Sequence, residues 1–270
     1  MIKKIVERLF PRFAIWYRMR RDRRLFEAQR MRPTALGFAF IGPDGMPESR
    51  TTSGEVATLR ELLQGKDLFV DIGANCGLYS LIAAKAGVPV LAVEPNRLNY
   101  LRLKQNIEHN RFANIQPHAL ALSDKPGRAA LYGGGEGASL LRNWGGMTNT
   151  YAQEVEVDTL DNLLASRSGL GDILIKIDVE GHEPAVLSGA RGLLMREKAP
   201  TWTIEHSFRE NQDGGVNPRF LDLFELFWKA GYQCLTFDRE RKMVRRDDVD
   251  RWLRTGVRDF GDVNYIFQKA

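Results

Sequence analysis

From about residue 54 the chain alternates short apolar runs with helical periods, and this alternation limits the accessible folds more than any other feature. Leu68-Phe69-Val70 runs into Asp71 and precedes a helical pattern from Gly77 through Ala86. Val90-Leu91-Ala92-Val93 runs into Glu94, ahead of a helix carrying Leu98, Leu101, Leu103 and Ile107. Ile115 to Leu122 reads as a third strand, Ile173 to Ile177 as a fourth ending at Asp178, and Trp202-Thr203-Ile204 as a fifth ending at Glu205. Short β-rich runs separated by helices build βαβ units, hence an α/β fold with a mostly parallel sheet and helices on both faces. Ligands of such sheets sit beyond the carboxyl ends of the strands, where the winding reverses. Asp71, Glu94, Asp178 and Glu205 all fall at those ends, a negative edge suited to a cationic or polyhydroxylated ligand.

The first strand opens into Asp71-Ile72-Gly73-Ala74-Asn75-Cys76-Gly77-Leu78, a glycine turn that starts a helix. A dinucleotide fingerprint needs glycine where Asn75 and Leu78 stand, because a pyrophosphate must approach bare backbone at the helix start. A phosphate-binding P-loop would end in Gly-Lys-Ser or Gly-Lys-Thr, which this turn lacks. An adenosine cofactor without a pyrophosphate remains, chiefly S-adenosylmethionine, whose sulfonium and α-amino group match the acidic rim. Glu94, at the end of the second strand, is placed to accept both ribose hydroxyls.

Charge divides the chain. Residues 1–32 hold 11 Lys and Arg against 3 Asp and Glu, a net +8, while the remainder is slightly negative at −3. A nucleic-acid substrate would call for a basic body, so none is expected. In the leader Ile2, Ile5, Val6, Leu9, Phe13, Trp16 and Tyr17 recur at steps of three and four, with Pro11 expected to kink a helix or start a second one. Arg18, Arg20, Arg21, Arg23 and Arg24 follow as a cationic run. Such a basic amphipathic helix either packs its stripe on the domain, the commoner use, or lies on an anionic membrane surface. Residues 33–53, rich in Gly and Pro, are expected to form a hairpin and linker to a single domain over 54–270. No run approaches 18 apolar residues, so no spanning helix is expected. Two cysteines, Cys76 and Cys234, fit reduced thiols in the cytoplasm, with peripheral contact at the inner face of the membrane if the leader docks there.

Four motifs taken together, Val70-Asp71-Ile72-Gly73-Ala74-Asn75-Cys76-Gly77, Val93-Glu94-Pro95-Asn96, Ala121-Leu122-Ser123-Asp124 and Lys176-Ile177-Asp178-Val179-Glu180-Gly181-His182-Glu183, resemble the FkbM family of S-adenosylmethionine-dependent methyltransferases over roughly residues 54–206. The resemblance implies a class I methyltransferase, Rossmann-like fold, a mostly parallel seven-stranded sheet with an antiparallel last strand. Tyr232 to Phe237 and Asn264 to Phe267 suit such an antiparallel pair. It also implies O-methylation of a hydroxyl on a sugar, polysaccharide or natural-product acceptor. Carried over by position, Asp71 and Gly73 would hold the methionine part of the cofactor, and Ala74, Asn75 and Gly77 would shape the turn beneath it. Glu94, with Pro95 and Asn96, would bind ribose, Leu120, Ala121 and Ser123 would border adenine, and Asp178, Glu180 and His182 would lie beside the methyl group. The resemblance does not reach the basic leader.

Methyl transfer to a hydroxyl asks the protein to align the acceptor oxygen and take its proton. Asp178, Glu180 and His182 are the candidates, with Glu205 and His206 on the next strand end; no metal is expected. The glycine-rich stretch from Gly133 to Gly146 is either a surface loop or a flexible cover over the acceptor, with Ser139, Arg142, Asn143 and Trp144 offering sugar contacts. The alternatives are a non-catalytic scaffold docked through the leader and a methyltransferase for another class of acceptor.

Overall fold

In the computed structural model, which describes residues 11–146, 151–167, 169–211 and 215–269, the leader is helical from Pro11. Helix α1 is described over Pro11–Ala28; residues 1–10, which carry the first half of the expected stripe, lie outside the described residues. Strands β1 (Arg32–Pro33) and β2 (Ala39–Phe40) pair antiparallel. The stretch expected as a hairpin and linker also contains a helix, α2 (Met46–Thr52), ahead of α3 (Glu55–Leu62). Leu36, Phe38 and Phe40 are buried with Val56 and Leu59 of α3, so the hairpin seals one side of the core.

The central sheet begins with β3 (Leu68–Ile72), α4 (Leu78–Lys85), β4 (Val90–Val93), α5 (Arg97–Asn110) and β5 (Ile115–His118). The expected third strand, 115–122, is divided. Register pairs His118 with Val93, the last residue of β4, so beyond it the chain has no neighbour to follow. It bends into β6 (Ala121–Leu122), which with β7 (Gly127–Tyr132) and β8 (Ala152–Asp158) makes a separate three-stranded sheet in the order β6-β8-β7.

The main sheet resumes with α6 (Leu160–Ala165), β9 (Ile173–Ile177), α7 (Glu183–Ser188), α8 (Arg191–Leu194) and β10 (Thr201–Glu205). It ends with α9 (Phe220–Lys229), β11 (Tyr232–Thr236), β12 (Met243–Val244), α10 (Arg246–Thr255) and β13 (Asn264–Lys269). The order is β12-β11-β13-β10-β9-β3-β4-β5. Strands β5, β4, β3, β9 and β10 pair in parallel, and β13 inserts antiparallel between β10 and β11. That is the class I methyltransferase sheet with its reversed last strand; the two-residue β12 adds an eighth at the edge.

Strand β3 is buried along its whole length, because helices cover both faces. On one face Val70, Ile72, Ile175, Ile177 and Trp202 pack with Phe220, Phe224 and Trp252 from α9 and α10. On the other, Phe69, Val90 and Leu174 meet Leu81, Ile82 and Leu103 from α4 and α5. Period two therefore sends Asp71 toward α4, where only a polar partner makes its burial tolerable. The chain leaves β3 toward β4 and later returns on its other side as β9, so the crevice at the carboxyl ends of β3 and β9 is the switch point.

Candidate cofactor and active site

A cavity of about 250 Å³ opens at that switch point. Its floor is the turn after β3, Gly73-Ala74-Asn75, whose Gly73 and Ala74 N–H groups both donate to the Val93 carbonyl at 2.9 and 3.0 Å. Gly73 has φ +81°, and a Cβ there would lie 1.8 Å from the Asp178 carbonyl oxygen. Only glycine lets the turns after β3 and β9 meet this closely, which brings the first and fourth motifs to one place.

Glu94 forms the wall at the end of β4. Its Oε2 accepts from the Asn75 N–H at 2.8 Å and its Oε1 from the Asn96 N–H at 2.7 Å. Burial pushes this carboxyl up to about 7, against the pull of those N–H donors. Val93, Pro95, Leu120, Ala121, Leu122 and Leu131 supply an adjoining apolar wall. The Asn75 Oδ1 is buried without a partner, on a residue that lines the cavity. An acceptor atom lacking a donor, a carboxylate fit for a diol and an apolar slot beside them suit an adenosine carrying an amino acid.

Four of the residues assigned to the cofactor sit outside the wall. Asp71 lies beneath the floor, fully buried, with Oδ2 accepting from Ser80 Oγ at 2.6 Å and Oδ1 unpartnered. Burial raises its pKa, with Lys176 and Ser80 acting the other way. Gly77 is the N-cap of α4. Asn96 caps α5, its Oδ1 accepting from the Leu98 and Asn99 N–H groups at 3.0 and 3.3 Å. Ser123 sits behind His182, its Oγ 2.9 Å from Nε2 and donating to Asp124 Oδ1 at 3.0 Å. These four shape the site from behind.

Opposite the Glu94 wall, the cavity is polar. Asp178, Glu180 and His182 line it together with Lys176, Glu205, Tyr79 and Arg50. Lys176 Nζ pairs with Asp178 Oδ2 at 2.8 Å and lies 4.7 Å above the Tyr79 ring. Burial works against its charge, but Asp178 and Asp71 outweigh it and raise its pKa. Glu180 has φ +55°, and its Oε2 accepts from Trp144 Nε1 at 2.7 Å. Burial raises the Glu180 carboxyl and lowers the His182 imidazole. Glu205 stands at the end of β10, where Ile204 is in register with Ile177 and its side chain neighbours Asp178. The negative charge of Asp178, with burial second, lifts Glu205 to about 8.

His206 is absent from this wall. It stacks on Phe220 with centroids 5.0 Å apart and its Nε2 lies 3.1 Å from the Phe220 carbonyl, so it is a core residue, pushed down to about 4 by burial. The glycine-rich stretch closes over the cavity through Gly135, Glu136, Ala138 and Leu140. Ser139 and Trp144, read from sequence as sugar contacts, spend their donors on Glu180, the first on its carbonyl at 2.7 Å. Gly181 has φ +93°, and a Cβ there would meet the Trp144 ring at 2.4 Å, so glycine is what lets the indole seat. Sequence reasoning missed Lys176, Tyr79 and Arg50 as wall residues. Lys176 carried a signal, a cation inside a central strand; Tyr79 and Arg50 carried none. Among the described residues, no group of three His, Cys, Asp or Glu side chains is disposed to hold a metal ion.

The profile of the methyltransferase FkbM domain matches residues 71–234, from the floor of this cavity to β11. No curated protein matches the chain. Among solved structures, it is similar to a methyltransferase FkbM from Methylobacillus flagellatus KT, with 21% identity, a TM-score of 0.45, and coverage of 75% of this chain and 44% of that one. The chain therefore spans less than half the length of that protein. It is also similar to a human methyltransferase 10 domain containing protein, with 13% identity, a TM-score of 0.46 and coverage of 86% and 88%. A precorrin-6y C5,15-methyltransferase from Geobacter metallireducens GS-15 gives 12% identity, a TM-score of 0.44 and coverage of 86% and 94%. With more than half of its length matched by the family profile, the chain belongs to the FkbM family of S-adenosylmethionine-dependent methyltransferases.

Proposed function

We propose that this chain is an S-adenosylmethionine-dependent O-methyltransferase acting on a hydroxyl of a sugar, polysaccharide or natural product. The observation that carries this reading is the division of the cavity into a Glu94 end fit for ribose and adenine and an end where Glu205, Asp178 and Lys176 meet. When bound, the cofactor supplies an electrophilic methyl group on a sulfonium. Glu94 would hold the ribose hydroxyls, Leu120, Ala121 and Leu122 would enclose the adenine, and the Gly73 to Asn75 turn would receive the amino-acid part.

Glu205 takes the acceptor's proton. Its rivals are committed: Asp178 is paired with Lys176, Glu180 accepts from the Trp144 indole, and the His182 ring contacts Ser123. Glu205 makes no such bond within the described residues, and a proton affinity near neutrality suits a base that works at neutral pH. Asp178 sustains that proton affinity through its charge, while Lys176 limits it. The glycine-rich segment, tied down at Glu180, keeps water from the polar end. The slightly acidic body supports a neutral hydroxylated acceptor over a nucleic acid. Both cysteines are free and buried, which fits a reducing, cytoplasmic setting.

The test has two stages. Calorimetric titration with S-adenosylmethionine, S-adenosylhomocysteine and NAD should show binding of the first two alone. Transfer of radiolabelled methyl to hydroxylated glycans and small molecules should follow. Cofactor binding with transfer to amines and never to hydroxyls would overturn the acceptor class, and cofactor binding without transfer would favour a scaffold.

A further inference from the structure

The methyl-transfer cavity leaves α1 without a role. Along it Phe13, Trp16 and Tyr17 are 54%, 51% and 56% exposed, so the stripe read from sequence is not packed on the domain at these rings. The three rings group together, with Phe13 centred 5.8 Å from Trp16 and 6.5 Å from Tyr17. One turn further on, Arg20 stands 5.3 Å over the Trp16 ring, and Arg20, Arg21, Arg23 and Arg24 are all exposed. Positions 13, 16, 17, 20 and 24 share a helix face by their three- and four-residue spacing. The helix meets the body near its end, where the Arg102 guanidinium lies 3.5 Å from the Phe26 ring and Arg102 Nε donates to Gln29 Oε1 at 2.9 Å. Upstream of that joint, Trp16, Arg20, Arg23 and Arg24 line one side of an open groove whose other side is the body at Leu98, Leu101 and Gln153, and Arg23 pairs with Glu27 at 2.8 Å.

We infer that α1 is an interfacial helix that docks the protein on an anionic lipid bilayer. Aromatic rings favour the headgroup layer, where one side is apolar and the other wet, and exposed arginines beside them find lipid phosphates. Charge complementarity identifies the occupant: α1 holds six arginines against two acids, the whole 1–32 segment carries +8, and the body behind it is −3. At 18 residues the helix is about 27 Å long, enough to lay its rings and arginines on one surface. Among the described residues no helix is long and apolar enough to cross a membrane.

The experiment is cosedimentation of the full chain with phosphatidylglycerol vesicles and with phosphatidylcholine vesicles. Binding to the first should exceed binding to the second, and about 1 M salt, with a screening length of about 3 Å, should release it. Phe13→Ser, Trp16→Ser and Tyr17→Ser combined should weaken partitioning at least about tenfold by removing the inserted rings. Arg20→Gln, Arg21→Gln, Arg23→Gln and Arg24→Gln should each weaken it about fivefold. Unchanged cofactor affinity and melting temperature would show these variants to be folded. Wild-type protein that ignores phosphatidylglycerol vesicles would overturn the assignment. So would variants that bind as well as wild type, or a lipid-independent dimer that the ring substitutions dissociate.

Discussion

Glu205→Gln removes the carboxylate proposed to take the acceptor's proton while keeping its size, and the structure sets what the loss should look like. With the Glu205 carboxyl near 8, about one tenth of the wild-type protein has it ionised at pH 7 and about nine tenths at pH 9. If this group takes the acceptor's proton, kcat at saturating cofactor should rise roughly tenfold across that interval and then level off. The Gln variant should lose about 10² to 10⁴ in kcat and the pH-dependent rise together. Cofactor affinity should be kept, since Glu94 stands at the end of β4, three strands along the sheet from β10. Asp178→Asn supplies the control: its charge is the main reason Glu205 holds its proton, so the midpoint of the profile should move to lower pH. Methyl transfer from labelled cofactor, followed from about pH 6 to pH 9, reads all three. A Gln variant that keeps both the rate and the rise would refute the assignment. Equal losses in cofactor binding and turnover would make Glu205 a structural residue.

Four further outcomes are expected. With Glu94 as the proposed ribose ligand, acting in its ionised form, cofactor affinity should fall about tenfold per pH unit below about 7; Glu94→Gln should weaken binding by about 1.5–3 kcal/mol and flatten that dependence, as calorimetry would show. Glu94 and Glu183 at about 7 and Glu205 at about 8 lie above their ordinary 4.5, so the folded state binds more protons in that window. Its stability should decline as pH climbs from about 4.5 to 8, with melting temperature as the readout. Gly73→Ala should cost at least about 2 kcal/mol in urea unfolding, since its Cβ would strike the Asp178 carbonyl at positive φ. Trp144→Phe deletes the indole donor to Glu180 and should speed proteolysis between residues 133 and 146 while sparing the central sheet.

The fold was legible because a buried parallel sheet writes itself as apolar runs, and β3, β4, β9 and β10 stand where those runs stand. The third strand was not, since what ends β5 is the end of its neighbour β4, a property of register that residues 115–122 do not carry. The helix Met46–Thr52 hid inside a turn-rich composition for a similar reason: Gly45 and Pro47 punctuate a helix start as readily as a loop. Motif residues were found more easily than their duties. Asp71 and Glu94 both end apolar runs, yet period two turns Asp71 under α4 and leaves Glu94 facing the cavity.

That difference extends to the acid–base chemistry. Asp178, Glu180 and Glu205 look equivalent as acids beyond strand ends, and what separates them is which cation or donor each one meets. Lys176, two residues before Asp178, pairs with it at 2.8 Å. Trp144, contributed by a distant loop, occupies Glu180. Glu205, one strand over, feels the Asp178 charge without a hydrogen bond of its own, so the ion pair that quiets one carboxylate sets the proton affinity of the next. A carboxyl near neutrality here is therefore a product of side chains at the ends of two neighbouring strands, and changing Lys176 or Asp178 should be read in the titration of Glu205 before it is read in the fold.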